Sequence, residues 1–443
     1  SLHDALPILW KLIYYEMKKL ISSFSGKLIL LLFLGICIWQ TQQDIKSVFN
    51  DDWNGMEVSQ LIEKQKSLEG NYQDIYKKIP DLEKDAMHYN PNREIDEEMT
   101  NNMNSFDWKK IYKAYENHTL TLEMVNDLID IKFHSLDEVV IHYGYKDDLL
   151  WSNLIRYIPD QDIMLNRNNY IYQPGNNSCL LGECDNVKDE VSKKEINRRF
   201  LNLSNTYQSN YIENNIVDRI NYTNMVILIV IAVLFANIFS REAQGKTDTY
   251  LACSPITAKT VGAKIIFALL LGAGIPLLCK IVTFVYAILQ SSGIHWDMFF
   301  YQQENLIASY VFSIKELVSI GFINQLLMTI SLCISILFIS QKSKNTYFSA
   351  ILSLIFVIFP IYYAVFHMGG YEIASYFPSN LLMYFSEHLN VVNYTSGVTP
   401  LFMSVAGLII PAATKYWIIW IILDIILVLW MFREGKLHRV LHA

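Results

Sequence analysis

Charge is the scarcest property of this sequence. Asp, Glu, Lys and Arg make up 18% of the 443 residues, while apolar residues make up 52%. Soluble domains carry about 25% charged residues, so the balance excludes an ordinary water-soluble domain as a description of the whole chain. The phosphate loop Gly-x-x-x-x-Gly-Lys-Ser/Thr is missing, which excludes ATP hydrolysis by the usual phosphate cradle. His-Glu-x-x-His, paired-cysteine metal spacing and Gly-x-Ser-x-Gly are missing too, and the histidines are scattered. No catalytic residue and no metal site are read from the sequence.

Long apolar runs take the place of charge. Six cover 24–43, 223–240, 265–289, 317–340, 346–366 and 415–432. Each is close to the ~20 residues that cross the hydrocarbon as a helix, the fold that satisfies every backbone group within the segment. The expected fold is an all-α polytopic membrane protein with six transmembrane helices. A large, mainly helical extracytoplasmic domain, 44–222, would stand between the first and second. From Thr41 to Tyr222 there are 32 acidic and 20 basic residues, whereas the remainder of the chain is net basic. That acidic insert argues against nucleic acid as a partner, because phosphate binding needs a basic footprint.

Basic residues decide the orientation. Lys11, Lys18, Lys19, Lys27, Arg241, Lys246, Lys259, Lys264, Lys342, Lys344, Arg433, Lys436 and Arg439 all fall on one side of the six-span scheme. The two short loops of the other side hold only Lys315 and Lys415. Positive residues collect in short cytoplasmic loops, so both termini are expected in the cytoplasm of a multi-pass cell-membrane protein, with 433–443 as a cytoplasmic tail. Residues 1–7 match neither neighbour and are set aside, and the first apolar run is too long for a signal peptide. Over 8–22, Leu9, Leu12, Ile13, Met17, Leu20 and Ile21 alternate with Lys11, Lys18 and Lys19. This reads as an amphipathic helix on membrane lipids within the segment 1–23, or as an extension of the first span.

Within the insert, 56–79 and 119–133 carry helical periodicity, and 190–222 is expected as a helix leading into the second span. Cys179 and Cys184 are its only cysteines. Outside the membrane they would form a disulfide, or remain two free thiols. The apolar stretch 399–411 is too short to span and pairs with 378–389 as two half-helices dipping into the outer leaflet, or as packing against the outer domain.

Two charged residues interrupt the spans, Lys280 in the third and Asp424 in the sixth. Each lies nine residues from the outer end of its run, roughly 14 Å deep at 1.5 Å per residue. A charge there costs about 2.5–3.5 kcal/mol on insertion scales, so the two are expected to pair. The pair would be a polar point on a substrate route, or a structural ion pair.

The loop 241–264 joins the second and third spans. Thr247 or Asp248 can cap a short helix there, and Pro255 would end it. The order of parts resembles the membrane subunit of ABC exporters of the type-2 permease (ABC-2) family. The resemblance is sharpest at Arg241, Glu242, Gly245, Thr247, Leu251, Ser254, Pro255 and Lys264. It implies that this loop is the coupling helix that docks on a cytoplasmic ABC ATPase. It also implies a homodimer or a heterodimer with a similar permease, with ATP and Mg held by the partner and no cofactor in this chain. Arg241 and Glu242 would make polar contacts to that partner. The bland alternative is a solvated loop whose basic residues set topology. In function, the resemblance implies a non-catalytic permease subunit of an exporter. The alternative is a mechanotransmitting or ligand-sensing membrane protein without transport.

Overall fold

In hydrocarbon a backbone has only itself to bond to, which is why the apolar runs fold as helices. The computed structural model describes residues 2–49, 70–71, 190–201, 206–207, 211–245, 257–290, 296, 312–366, 373–385, 402–405 and 407–442. Six helical stretches are long and apolar enough to cross a membrane: Phe24–Val48, Asn215–Gln244, Ala258–Gln290, Ile314–Lys342, Thr346–Phe366 and Thr414–Glu434. They contain the six runs read from the sequence, and the pattern is that of a multi-pass membrane protein.

The N-terminal helices are α1 (Leu2–Ser22) and α2 (Phe24–Phe49). Of the insert, the described parts are β1 (Gly70–Asn71), α3 (Glu190–Leu201), β2 (Thr206–Tyr207) and α4 (Tyr211–Asn221). The second span comprises α4, α5 (Met225–Ala236) and the short α6 (Ser240–Gln244). The third is α7 (Thr257–Gly272) followed by α8 (Gly274–Gln290). The remaining elements are α9 (Ile314–Lys342), α10 (Thr346–Phe366), α11 (Pro378–Tyr384), β3 (Phe402–Val405), β4 (Leu408–Pro411) and α12 (Thr414–His442).

Three sequence expectations change here. The segment 190–222 is two helices and a short strand, not one helix, with β2 pairing antiparallel to β1 through Gly70↔Tyr207 and Asn71↔Thr206. Gly70 and Asn71 are poor helix formers, and they interrupt the helical pattern of 56–79. The expected half-helix at 399–411 is instead a β-hairpin, Phe402↔Pro411 to Val405↔Leu408. Its turn uses Gly407 at φ 83°, a backbone angle that glycine adopts without strain. The hairpin packs on α3, where Phe402 N–H donates to Ser192 Oγ at 3.0 Å. The periodic segment 119–133 lies outside the described residues, as does the rest of 50–189 apart from Gly70 and Asn71.

α9 is the centre of the bundle, packed against α4, α5, α7, α10, α11 and α12. Leu332, Cys333, Ile336 and Leu337 are fully or almost fully buried on it. It starts in a capping box, with Glu316 N–H donating to Ser313 Oγ at 3.3 Å and Ser313 N–H donating to Glu316 Oε2 at 2.9 Å. Arg199 of α3 donates to both oxygens of Glu316, at 2.8 and 2.7 Å, and lies over the Phe402 ring at 4.9 Å. Hydrogen bonds from Arg198, reinforced by Arg199, hold the Glu195 carboxyl below the usual carboxylate range despite its burial. The insert is therefore bolted to the start of the fourth span by a charge-assisted fork.

α9 and α12 run parallel, with contacts that advance together along both helices. Trp417 Nε1 donates to Asn324 Oδ1 at 3.1 Å, Ser331 contacts Asp424 at 2.6 Å, and Gln341 Nε2 donates to Met431 O at 3.1 Å. Two spans separated by one intervening span must point the same way, so this register supports the alternation read from the runs.

Close packing at the α7–α8 junction depends on Gly272. A Cβ there would lie 2.5 Å from the Phe235 ring and 2.6 Å from Cys333 Sγ. Both neighbours are buried in the core and have no room to retreat. Gly272→Ala is expected to lower stability by about 1–3 kcal/mol. Gly274→Ala, whose Cβ meets nothing nearer than Leu269 O at 3.8 Å, is expected to leave the melting temperature in detergent near that of the parent. Equal melting temperatures for the two variants would contradict this packing.

Candidate functional site

The second span does not run straight into the loop that follows it. Between α5 and α6, residues 237–239 form a turn, and hydroxyls from two neighbouring spans bond the backbone released there. Phe239 N–H and Ser240 N–H both donate to Ser340 Oγ of α9, at 3.0 and 3.2 Å. Ser349 Oγ of α10 donates to Ala236 O at 2.6 Å. Such repair by serine side chains is what allows a broken helix in an apolar setting.

The break turns α6 so that Glu242 points inward. Its Oε1 accepts from Lys19 Nζ of α1 at 2.5 Å and from Lys264 Nζ of α7 at 2.6 Å. Lys264 is 1% exposed, donates to Ile238 O at 3.1 Å, lies 3.8 Å from Glu16 Oε1, and faces the Phe239 ring at 4.8 Å. Ile13, Ala263 and Phe267, with Leu9, Leu12 and Leu20, wrap these charges in apolar surface. Two carboxylates and two ammoniums thus form a charge-balanced cluster joining the first helix, the end of the second span and the start of the third, with Glu16, Glu242 and Lys264 buried and Lys19 at its partly exposed edge. Removing one partner from such a cluster strands a buried charge, which costs about 3–5 kcal/mol.

Among the loop residues singled out by sequence, Arg241 is exposed, Glu242 is buried, and Gly245 closes α6 with its N–H on Arg241 O at 3.0 Å. Glu242 is therefore an internal clamp and not an outward contact, because α6 turns its carboxylate toward two ammoniums. Thr247, Leu251, Ser254 and Pro255 lie outside the described residues, as do Cys179 and Cys184. Sequence reading missed Lys19 and Glu16 as members of the cluster. Their signal was the placement of Glu16, Lys19 and Leu20 on adjoining turns of an amphipathic helix.

Lys280 and Asp424 do not meet. Lys280 Nζ donates to Asp44 Oδ2 at 2.8 Å and to Arg219 O at 2.6 Å, while Asp44 Oδ1 accepts from Gln40 Nε2 at 2.6 Å. Asp424 Oδ2 instead lies 2.6 Å from Ser331 Oγ. The reason is topological: α8 packs on α2, whereas α12 packs on α9 and α7. The true partner was hidden because the first span was ended at Gln43, one residue short of Asp44. Phe33, Cys37, Gln40, Asp44 and Val48 recur at helical spacing and are all buried, so the helix face continued past that boundary. Among the described residues no three His, Cys, Asp or Glu side chains converge to hold a metal ion.

A double-mutant cycle checks the reassigned pair. Lys280→Met alone should cost about 3–5 kcal/mol by leaving Asp44 buried without its cation, and adding Asp44→Leu should recover most of that loss. Lys280→Met with Asp424→Asn should be additive within about 0.5 kcal/mol. Melting temperatures in one detergent read all of these, and a recovery with Asp424→Asn but not with Asp44→Leu would overturn the assignment.

No family model matches the chain, and the comparisons with curated proteins and with solved structures give no match either.

Proposed function

We propose that this chain is the membrane-spanning permease subunit of an ABC exporter, driven by ATP hydrolysed in a separate cytoplasmic ATPase. The observation that carries the reading is the Glu242 cluster. A force applied to 246–256, between the second and third spans, reaches α6 and the start of α7 at once. Through Lys19 it also reaches α1, so three elements respond to one push. A four-charge cluster with three buried members transmits such a push as a rigid unit, because separating the buried members exposes charge to apolar surroundings.

In this reading both termini and the 241–264 loop face the cytoplasm, which the distribution of Lys and Arg supports. The exposed face of α1, with Trp10, Tyr14 and Tyr15 beside Lys11 and Lys18, suits the headgroup layer. Aromatic rings settle at that level, and lysines bind anionic lipid there. Arg241 is the outward-facing group that would contact the ATPase. Two such permeases, identical or similar, would pair over two ATPase subunits that hold ATP and Mg.

The test separates docking from folding. Vanadate-sensitive ATPase activity is expected to co-purify with the chain in mild detergent. Arg241→Glu should reduce that activity about tenfold or more while leaving the melting temperature unchanged, as loss of a charged contact at an interface does. Glu242→Ala should lower both, because it removes the internal clamp. A folded chain that brings no ATPase, or an Arg241→Glu variant with full activity, would contradict the proposal. Coupled ATPase without substrate flux would favour the mechanotransmitting alternative.

A further inference from the structure

The two aspartates buried within spans have opposite surroundings. Asp44 is neutralised: Lys280 Nζ takes one oxygen at 2.8 Å and the Gln40 amide donates to the other at 2.6 Å. Asp424 is 9% exposed and has no cation within salt-bridge distance among the described residues. Its Oδ1 is buried without any hydrogen-bond partner. On either side in the chain, Ile421, Ile422, Leu423, Ile425 and Ile426 are exposed on an apolar helix surface.

The contacts of Ser331 say where a proton must lie. Its Oγ is 2.6 Å from Asp424 Oδ2 and 3.0 Å from Leu327 O, one turn back on α9. A hydroxyl has one hydrogen and cannot donate fully along both directions. Both contacts are satisfied together when the Ser331 hydroxyl donates to Leu327 O and the carboxyl itself donates to Ser331 Oγ. An ionised Asp424 would instead hold a full negative charge in apolar surroundings on a single hydrogen bond. An isolated buried carboxylate is relieved of that cost by taking up a proton.

We infer that Asp424 is an intramembrane proton-binding site, carried as a neutral carboxylic acid whose O–H bonds to Ser331 and pins α12 to α9. The proton resides on Oδ2, and Oδ1 remains an open acceptor. One turn along α9, the Ser335 hydroxyl is also buried and unpartnered, which extends the polar line beyond Ser331. The helices packed on α12 are chiefly α9 and α7, with Phe356 of α10 against Trp420; the titratable groups of α10 are Tyr347, Tyr362 and Tyr363. On α9 the titratable groups are Lys315, Glu316, Cys333 and Lys342. On α7, Lys264 is committed to Glu242, and Lys259 is exposed near the start of the helix. Loss of the proton would leave a charge between α9 and α12 with no cation among the described residues to answer it. This inference does not depend on the transport reading.

Infrared spectra of the full chain in lipid test it. The wild type at neutral pH should show a carboxylic-acid carbonyl band that shifts down in D2O and disappears in Asp424→Asn. Ser331→Ala keeps the carboxyl but removes its acceptor, so the same band should move to higher frequency. That variant reads the site even if Asp424→Asn fails to fold. Raising the pH should convert the band into carboxylate absorption, independently of sodium. Carboxylate absorption alone at neutral pH, or a band that follows sodium concentration and not pH, would overturn the inference. So would a band indifferent to Ser331→Ala.

Discussion

Inside hydrocarbon no water is available, so a polar group on these helices is costly unless another part of the protein partners it. Much of the bundle's specific geometry follows from how that demand is met. Serines from α9 and α10 repair the broken second span. Asn324 Nδ2 donates to Leu381 O at 2.9 Å, and Thr223 N–H donates to Leu382 O at 2.9 Å, which seats α11 between the second and fourth spans. Lys280 reaches across to Asp44, and Lys264 to Glu242. Apolar packing alone tolerates many arrangements of greasy helices. These polar pairs select one, because each wrong arrangement leaves an unsatisfied group or a bare charge.

The two lysine clusters lie on either side of the break in the third span. Lys264, near the start of α7, ties that helix to α1 and α6, while Lys280 in α8 ties it to α2 and to the end of α4. Between them lies the Gly272 junction, where the helix divides and Phe235 and Cys333 close in. A span fastened near its start and again beyond its central break is suited to transmit displacement from one membrane face into the membrane. That is the mechanical content of the permease reading.

The spans were legible because apolar length is a sequence property that tertiary context seldom overrides. Relative helix direction was legible for the same reason. The half-helix expected at 399–411 was not, since apolarity alone cannot tell a short strand from a short helix, and Gly407 with its flanking Val405, Ile409 and Ile410 decided for a hairpin. Charge partners were the least legible. Depth arguments placed Lys280 and Asp424 at one level, but depth says nothing about which helices are neighbours. Asp44 was passed over as part of the insert because the helix continued beyond the apolar run. Glu242 was found by resemblance and its inward direction was not, because that depends on the turn at 237–239 and on a lysine far away in sequence.

The central claim is that 246–256 is where an ATPase bears on this chain. Its most direct test is a photo-crosslinking amino acid at the position of Thr247, activated in native membranes, with the adduct identified by mass spectrometry. The account predicts an adduct with a subunit carrying a Gly-x-x-x-x-Gly-Lys-Ser/Thr phosphate loop, lost in Arg241→Glu. Adducts confined to lipid or to a second copy of this chain would contradict it.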